Sequence, residues 1–415
     1  MFVQKNPSCP LCIEFNPLGF RSGQLCPKHA RLVSIAKVSR QLDKEEFFGS
    51  SPAPFVGRFG YPDVNLGILS PPERTEEAWL HDAPRHWAAE QYEIPQIVDL
   101  RSSLINSRFR INIKEHNKLL MIGQEVGMAS KPVDIEVKLK ARPSFRINIE
   151  YNNAPMGPNA ALKNIAITSN PKIHTKVDKV VSDTGLRAGE ALTYLYENDF
   201  DENFLSKLLS VGTLGLEKNR KLVPTRWSIT ATDDTLGKHI INEIKDYPEQ
   251  NYLAFFGGHL GNYYLILTFP EPWSYELFES YAAEKRNFND RVPHETDYEP
   301  YAGRKYYASN TVGGYYAARL AILERLKGMK RQASVLALRF VTDQYYMPLG
   351  VWVVREATRN AVRSTPIEFS SMELMLDYAR NLVKEKFNIN LDILLRESKL
   401  LKNVSTQRKL SSFMA

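Results

Sequence analysis

Four residues with metal-ligating side chains lie near the N-terminus: Cys9, Cys12, Cys26 and His29. They form the pattern C-x2-C-x13-C-x2-H, in which the loop between the two short pairs is long enough for both pairs to reach one ion. Three thiolates and one imidazole complete the tetrahedral coordination of Zn²⁺ and leave no position for water or substrate. We therefore predict a structural zinc knuckle over residues 1–30. The alternative, a redox pair at Cys9 and Cys12, leaves Cys26 and His29 unexplained.

A second set of candidate residues lies beside glycines, beside serines or at the predicted ends of helices and strands. Arginine guanidinium groups bind phosphate through paired hydrogen bonds, and glycines let backbone amides approach a ligand closely. These settings predict a phosphate-binding or ligand-binding surface on the body of the protein. Its candidate residues are Arg58, Arg101, Arg108, Arg226, Asp233, Asp234, His259 and Glu356.

Several of these candidates have more than one interpretation. Asp233 and Asp234 could bind a divalent ion or cap a helix, and Glu356 could serve group transfer with a nearby arginine. Buried arginine–carboxylate pairing explains many such residues in proteins that bind nothing. No Walker loop and no serine nucleophile elbow is present, which disfavours nucleotide hydrolysis. The sequence therefore assigns no catalytic residue and leaves open whether the protein is an enzyme.

The C-terminal residues match the spacing of the peptide by which DNA-processing proteins bind the sliding clamp (PCNA). Gln407, Leu410, Phe413 and Met414 occupy relative positions 1, 4, 7 and 8. One tight helical turn places Leu410, Phe413 and Met414 on one apolar side. Clamp ligands usually carry a second aromatic residue where this chain has Met414. We predict clamp binding, with a chance match of an amphipathic chain end as the alternative.

Composition is that of an ordinary globular protein. The chain has 415 residues, of which 43% are hydrophobic and 24% charged, so it can bury a large core and is expected to form two or more domains. The net charge of +7 permits nucleic-acid binding without requiring it. No apolar run approaches a membrane span, and residues 1–10 lack the apolar stretch of a signal peptide. Cysteines kept for a metal fit a reducing cytoplasm, which is the expected location.

Hydrophobic periodicity predicts a mixed body of the α+β class, with no repeat. The predicted helices span 30–47, 73–90, 96–110, 114–127, 185–197, 202–209, 275–285, 315–330 and 370–387, with a short helix before the tail. The predicted strands span 133–140, 145–151, 162–168, 226–231, 251–256, 263–269, 335–342 and 350–354. Residues 50–72 are predicted to form a Gly/Pro-rich loop, residues 257–262 a hairpin or a bulged crossing, and residues 232–234 the cap of a helix that runs toward Lys245.

These elements suggest four consecutive regions. They are a zinc knuckle (1–30), a helical N-terminal part of the body with the Gly/Pro-rich loop (31–130), an α+β core (131–400) and a flexible clamp-binding tail (401–415).

Four segments resemble the hallmark blocks of the archaeal Nre DNA-repair proteins: 55–67, 99–108, 221–234 and 348–356. The N-terminal knuckle and the C-terminal peptide also fit this family, in which some members carry both. The resemblance implies a DNA-repair factor that is recruited to DNA through the sliding clamp, with DNA as a further partner. It implies no catalytic mechanism. Two alternatives stay open: a metal-dependent nuclease or group-transfer enzyme acting on damaged DNA, and a non-enzymatic adaptor between the clamp and another repair protein.

Overall fold

A computed structural model describes residues 45–143, 156–282, 287–288 and 290–406. The chain divides into two compact units. The first contains the described residues through Thr235 together with Met347–Leu349, and the second contains Leu236–Tyr346 and the described residues from Gly350 onward. The predicted zinc knuckle, the strand predicted over 145–151 and the clamp peptide from Gln407 onward lie outside the described residues.

The first unit is built on a six-stranded mixed sheet in the order β1-β5-β6-β4-β3-β2. Its strands are β1 (Glu46–Ser51), β2 (Ala53–Val56), β3 (Asp63–Ser70), β4 (Ile105–Asn112), β5 (Val133–Leu139) and β6 (Asn159–Ile167). The pair β4–β6 is parallel, and the other pairs are antiparallel. Strict alternation along β5 buries Val133, Ile135 and Val137 on one face, which is the pattern of a half-buried strand. The strands predicted over 133–140 and 162–168 are confirmed.

Helices cover this sheet and extend beyond it. They are α1 (Pro84–Ala89), α2 (Ile94–Ser102), α3 (Lys118–Met128), α4 (Thr175–Ser182), α5 (Ala188–Tyr196), α6 (Glu202–Ser210) and the first half of α7 (Thr225–Ile244), with short 3-10 turns at Glu76–Asp82 and Glu217–Asn219. Asn117 caps α3 by accepting a hydrogen bond from the Leu120 backbone N–H at 2.9 Å. A Cβ at Gly123 would lie 2.9 Å from Leu66 Cδ2, so the glycine lets α3 pack closely on β3.

Two predictions for the first unit were wrong. Residues 50–72 are not a loop, because Val64, Leu66 and Ile68 alternate and are buried in β3, which also contains Gly67. The helix predicted over 96–110 ends at Ser102, and the chain continues as β4. Helical and strand periodicities are easily confused over such short apolar runs. Of the helix predicted over 30–47, only the last residues are described, and β1 begins at Glu46.

The second unit contains another six-stranded mixed sheet, in the order β10-β9-β11-β8-β7-β12. Its strands are β7 (Tyr252–His259), β8 (Asn262–Phe269), β9 (Ser274–Ala282), β10 (His294–Glu299), β11 (Ser334–Thr342) and β12 (Ile367–Phe369). The predicted hairpin at 257–262 is confirmed: Leu260 and Gly261 both have positive φ, as a two-residue turn requires. Strands β9 and β11 run parallel.

Helices pack on both faces of the second sheet. They are the rest of α7, α8 (Val312–Met329), α9 (Trp352–Arg363), α10 (Met372–Phe387), α11 (Asp392–Leu395) and α12 (Lys399–Thr406). On one face, Phe278 and Leu338 form an apolar core with Met375 of α10. On the other, a Cβ at Gly257 would lie 2.8 Å from Ala361 Cα, so the backbone of α9 lies against β7. Among the described helices, none is both long and apolar enough to cross a membrane.

Four further predictions were wrong, two of them for residues 226–234 of the first unit. Residues 226–231 belong to α7, which begins at Thr225, so 232–234 lie inside the helix and cap nothing. Residues 275–285 were predicted as a helix, but this segment forms β9, whose two faces are both buried and therefore show no alternation. Residues 352–354 begin α9, and Arg355 and Glu356 consequently lie within a helix and not at the end of a strand.

Candidate nucleic-acid interface

An open cleft of about 510 Å³ lies on the first unit. Strands β3, β4 and β6, the end of β5 and the start of α3 contribute its lining. The polar lining consists of four cations and three amides: Arg108, Arg110, Lys140, Lys163, Asn65, Asn117 and Asn159. Hereafter this feature is called the basic cleft.

Strand geometry brings these cations together from distant parts of the chain. Arg108 and Arg110 are two residues apart on β4, so both side chains project from the same face of the sheet. The Lys140 backbone N–H donates to the Ala161 carbonyl at 2.8 Å, which places Lys140 beside β6. The register between β5 and β6 shifts at Lys138/Leu139, and this bulge leaves Lys163 as the extra residue of β6. The cleft therefore depends on pairings between strands that are far apart in sequence.

Every charged residue that the structure describes in the lining of the basic cleft is positive. All four cations are exposed, and none forms an ion pair with a described carboxylate. Two acids on neighbouring segments accept hydrogen bonds from amides: Glu115 accepts from Asn117 Nδ2 at 3.0 Å, and Asp63 accepts from Asn112 Nδ2 at 2.9 Å. Guanidinium, ammonium and amide donors without competing carboxylates are suited to binding anions such as phosphate.

The turn between β2 and β3 adjoins the basic cleft. Gly60 has a positive φ, and its carbonyl accepts from the Asp63 backbone N–H at 2.8 Å. A Cβ at Gly60 would lie 3.2 Å from Arg110 Nη2, so this guanidinium lies against the turn. Arg58, a predicted phosphate ligand, is exposed in the same turn, with its guanidinium carbon 5.0 Å from the centre of the Phe59 ring.

The first turn of α7 meets the same surface. The rings of Tyr61 and Trp227 are 5.2 Å apart between centroids. The Val56 backbone N–H donates to Thr225 Oγ1 at 2.9 Å, which fixes the start of α7 to the end of β2. Arg226, also a predicted phosphate ligand, precedes Trp227 and is exposed. Arg58, Arg108 and Arg226 thus lie on elements that adjoin one another.

Arg101 and the two adjacent aspartates have a different setting. Arg101 Nη1 donates to Asp82 at 2.7 Å, and both side chains are mostly buried, so Arg101 ties α2 to the preceding 3-10 turn. Asp233 is buried inside α7, while its neighbour Asp234 is half-buried. Among the described residues, no cluster of three or more His, Cys, Asp or Glu side chains is arranged to hold a metal ion.

The remaining two predicted site residues, His259 and Glu356, belong to the second unit. His259 ends β7, and burial lowers the pKa of its imidazole from 6.5 to about 4. Its ring lies 6.3 Å from that of Trp352. Glu356 is buried and accepts from Arg359 Nη1 at 2.6 Å, while the same arginine also donates to Glu324 at 2.8 Å. Glu356 therefore takes part in an internal ion-pair network.

Sequence reasoning missed most of the basic cleft. Arg110, Lys140 and Lys163 were not among the candidates, and neither were the three asparagines. Basic and apolar residues alternate along 105–111, which is typical of a strand and places Arg108 and Arg110 on one face. The segment was instead included in the helix predicted over 96–110. Lys140 and Lys163 carry no local signal, because only the pairing of β5 with β6 brings them to the cleft.

Comparisons with known proteins cover nearly the whole chain. Residues 22–286 match the family model described as archaeal Nre, N-terminal, and residues 299–413 match archaeal Nre, C-terminal. A protein of Archaeoglobus fulgidus named DNA repair protein NreB is 36% identical over 97% of this chain and 100% of its own length. DNA repair protein NreA of the same organism is 39% identical over 87% of this chain and 90% of its own.

A third relative, DNA repair protein NreA of Haloferax volcanii, is 34% identical over 86% of this chain and 87% of its own length. No solved structure matches the chain. Both family models and all three relatives agree with the resemblance seen in the four sequence blocks, and this chain belongs to the archaeal Nre family.

Proposed function

We propose that this protein acts in DNA repair and holds the DNA backbone in the basic cleft. The observation that carries the proposal is the convergence of Arg108, Arg110, Lys140 and Lys163 on one cleft that no described carboxylate lines. Relatives that span nearly the whole chain are named DNA repair proteins, which supports the biological setting.

The physical chemistry of the cleft favours binding without sequence readout. Lysine and arginine contacts to phosphate release counterions from DNA and supply affinity that falls with salt. Such contacts orient the protein on the nucleic acid without reading bases. Nuclease chemistry with two metal ions needs carboxylates at the scissile phosphate, and the described lining of the cleft offers none. Asp233 and Asp234 do not line the cleft. DNA binding is thus better supported than cleavage at this position.

Charge reversal tests the proposal. The double variant Arg108→Glu/Arg110→Glu should weaken DNA binding, measured by fluorescence anisotropy at low salt, by more than about ten-fold, because two favourable phosphate contacts become repulsive. A matched control is Arg331→Glu together with Lys330→Glu, two consecutive basic residues of the second unit where the same change in net charge is made. Equal loss in both variants, or no loss in either, would contradict a DNA site in the cleft.

Recruitment by the sliding clamp forms the second part of the proposal. The spacing of Gln407, Leu410, Phe413 and Met414 supports it. Calorimetry should detect binding of purified clamp to the intact chain and no binding to Phe413→Ala or to a chain truncated before Gln407. Clamp binding that survives the truncation would place the contact elsewhere.

A structural Zn²⁺ held by Cys9, Cys12, Cys26 and His29 completes the proposal. The four ligands support a closed site that stabilises the N-terminal segment. Elemental analysis of protein purified without added metal should find zinc in the native chain and none in Cys26→Ser. Zinc that is retained after this change would exclude the four-ligand site.

A further inference from the structure

Three aromatic side chains beside the basic cleft are unusually exposed. Phe59 is 73% exposed, Tyr61 44% and Trp227 45%, although Tyr61 and Trp227 contact each other across more than 150 residues of sequence. Single exposed aromatic residues are ordinary, whereas three exposed rings on two adjoining elements, two of them in contact, point to a binding function. We call Phe59, Tyr61 and Trp227 the aromatic platform.

The aromatic platform is held by backbone hydrogen bonds. In the turn, Gly57 N–H donates to the Asn65 carbonyl at 2.8 Å, and Ile113 N–H donates to the Pro62 carbonyl at 3.0 Å. Thr225 Oγ1 joins the start of α7 to β2 and also lies 3.1 Å from Ser210 Oγ. The backbone that carries the three exposed rings is thus fixed by hydrogen bonds, which reduces the entropy lost when a planar ligand stacks on them.

Positive charge surrounds the platform. The Arg58 guanidinium lies 5.0 Å from the Phe59 ring centre, Arg226 directly precedes Trp227, and Arg110 joins the turn to the basic cleft. Sites that bind single-stranded nucleic acid combine exposed aromatic rings with cations. The bases stack on the rings, and the cations bind the phosphate backbone. Because Arg58, Arg110 and Arg226 all lie on the elements that carry or adjoin these rings, charge complementarity favours a polyanion with planar groups.

We infer that the aromatic platform stacks unpaired bases and that the DNA bound by the basic cleft is single-stranded where it crosses the platform. This inference rests on the proposed function and specifies its substrate. In duplex DNA the base faces are covered by neighbouring base pairs, so a duplex reaches the cations but not the rings. The protein consequently discriminates unpaired from paired DNA through Phe59, Tyr61 and Trp227, and binds phosphate through Arg108, Arg110, Lys140 and Lys163.

The test compares three DNA probes at one salt concentration, using the full-length protein. The probes are a short oligothymidylate, a strand of the same length that lacks bases, and a duplex of that length. The native protein should bind oligothymidylate about ten-fold or more tightly than the abasic strand, because each stacked base contributes to affinity. The triple variant Phe59→Ala/Tyr61→Ala/Trp227→Ala should bind both single strands equally and keep its affinity for the duplex.

A matched control is Phe48→Ala on β1, which removes an aromatic ring that is 52% exposed and has the Arg74 guanidinium 5.1 Å from its centre, but which does not line the cleft. This variant should leave all three affinities unchanged. If the triple variant does not fold, the single change Phe59→Ala, at the most exposed of the three rings, supplies the same comparison with a smaller loss.

The outcomes separate this inference from the proposed function. In one outcome the native protein binds all three probes equally, the aromatic changes have no effect, and Arg108→Glu/Arg110→Glu has a clear effect. This outcome would overturn base stacking on the aromatic platform but would leave phosphate binding in the basic cleft supported. No binding of any probe would overturn both. Loss of oligothymidylate affinity in Phe48→Ala as large as in the triple variant would also overturn the specific role of the platform.

Discussion

Two groups of arginines, one in each unit, have opposite surroundings. In the first unit, Arg58, Arg108 and Arg110 are exposed, and the described residues provide no carboxylate to pair with them. In the second, Arg319 donates to Glu299 at 2.6 Å and Arg339 donates to Glu279 at 2.5 Å, both from largely buried positions. The same residue type thus serves internal structure at Arg319 and Arg339 and faces solvent without a described carboxylate partner at Arg58, Arg108 and Arg110.

This contrast explains which charged residues are candidates for function. Burying a charge is unfavourable unless it is paired, so Arg319 and Arg339 are satisfied by carboxylates of the fold itself. An exposed cluster of like charges is unfavourable for the folded protein alone, and a bound anion removes the repulsion. The unpaired cations of the first unit are therefore the ones that we assign to ligand binding.

The largest expected effect comes from breaking a buried pair in the second unit. Arg319→Met leaves Glu299 buried with only Trp273 Nε1 at 3.2 Å and the Tyr315 hydroxyl at 3.3 Å as donors. Removing one partner of a buried pair costs about 3–5 kcal/mol of unfolding free energy. Urea denaturation of the native and variant proteins measures this loss.

The control for that prediction removes both charges. Arg319→Met combined with Glu299→Gln should recover a large part of the stability, because no charge is then left buried without a partner. If Arg319→Met lowers the unfolding free energy by less than about 1 kcal/mol, this pair contributes no more than an ordinary surface ion pair. The contrast between buried, paired arginines and exposed, unpaired ones would then be weaker.

His259 provides the second prediction, which concerns pH. Its pKa is about 4 in the folded protein against 6.5 normally, because burial disfavours the charged imidazolium. Between pH 6.5 and 4 the unfolded chain therefore takes up a proton that the folded chain does not, and stability falls as pH is lowered through this range. The loss should reach about 3 kcal/mol. Subtracting the stability profile of His259→Gln from that of the native protein isolates this contribution, and identical profiles would contradict a neutral buried His259.

An exposed pair in the second unit should show the smallest effect. Lys327 Nζ lies 2.6 Å from Glu243, and both side chains are about one-third exposed. The pKa of Glu243 is lowered chiefly by the hydrogen bond from Lys327. Because solvent screens such pairs, Lys327→Ala should lower the unfolding free energy by only about 0.5 kcal/mol, measured by the same urea denaturation. A loss comparable to that of Arg319→Met would show that burial does not govern pair strength here.

Sequence patterns predicted the parts of the fold with a clear period. Strands β5, β7, β8 and β11 and helices α8 and α10 lie where the pattern indicated. Prediction failed where burial in the folded protein removes the regular alternation of apolar and polar residues. Both faces of β9 are covered, so Tyr275, Leu277 and Phe278 give no alternation. Trp227 and Ile229 favour a strand by type, yet they belong to α7.

Prediction of the site had the same limit. Arg58, Arg108 and Arg226 were recognised from their neighbours in sequence, and they lie on the elements that form the cleft and the platform. Lys140 and Lys163 could not be recognised, since their proximity depends on a bulged pairing of two strands. Arg101 has similar neighbours in sequence but is paired with Asp82, a contact that no local pattern reveals.

The salt dependence of DNA binding tests the assignment of the unpaired cations most directly. We would measure the affinity of a single-stranded oligonucleotide over a range of salt concentrations for the native protein and for a variant with Arg108, Arg110, Lys140 and Lys163 all changed to alanine. Each lost phosphate contact should reduce the slope of log affinity against log salt by about 0.7, so the four changes should reduce it by about 3. The free energy of unfolding should change little, since the four side chains are exposed. An unchanged slope in a folded variant would contradict phosphate binding in the basic cleft.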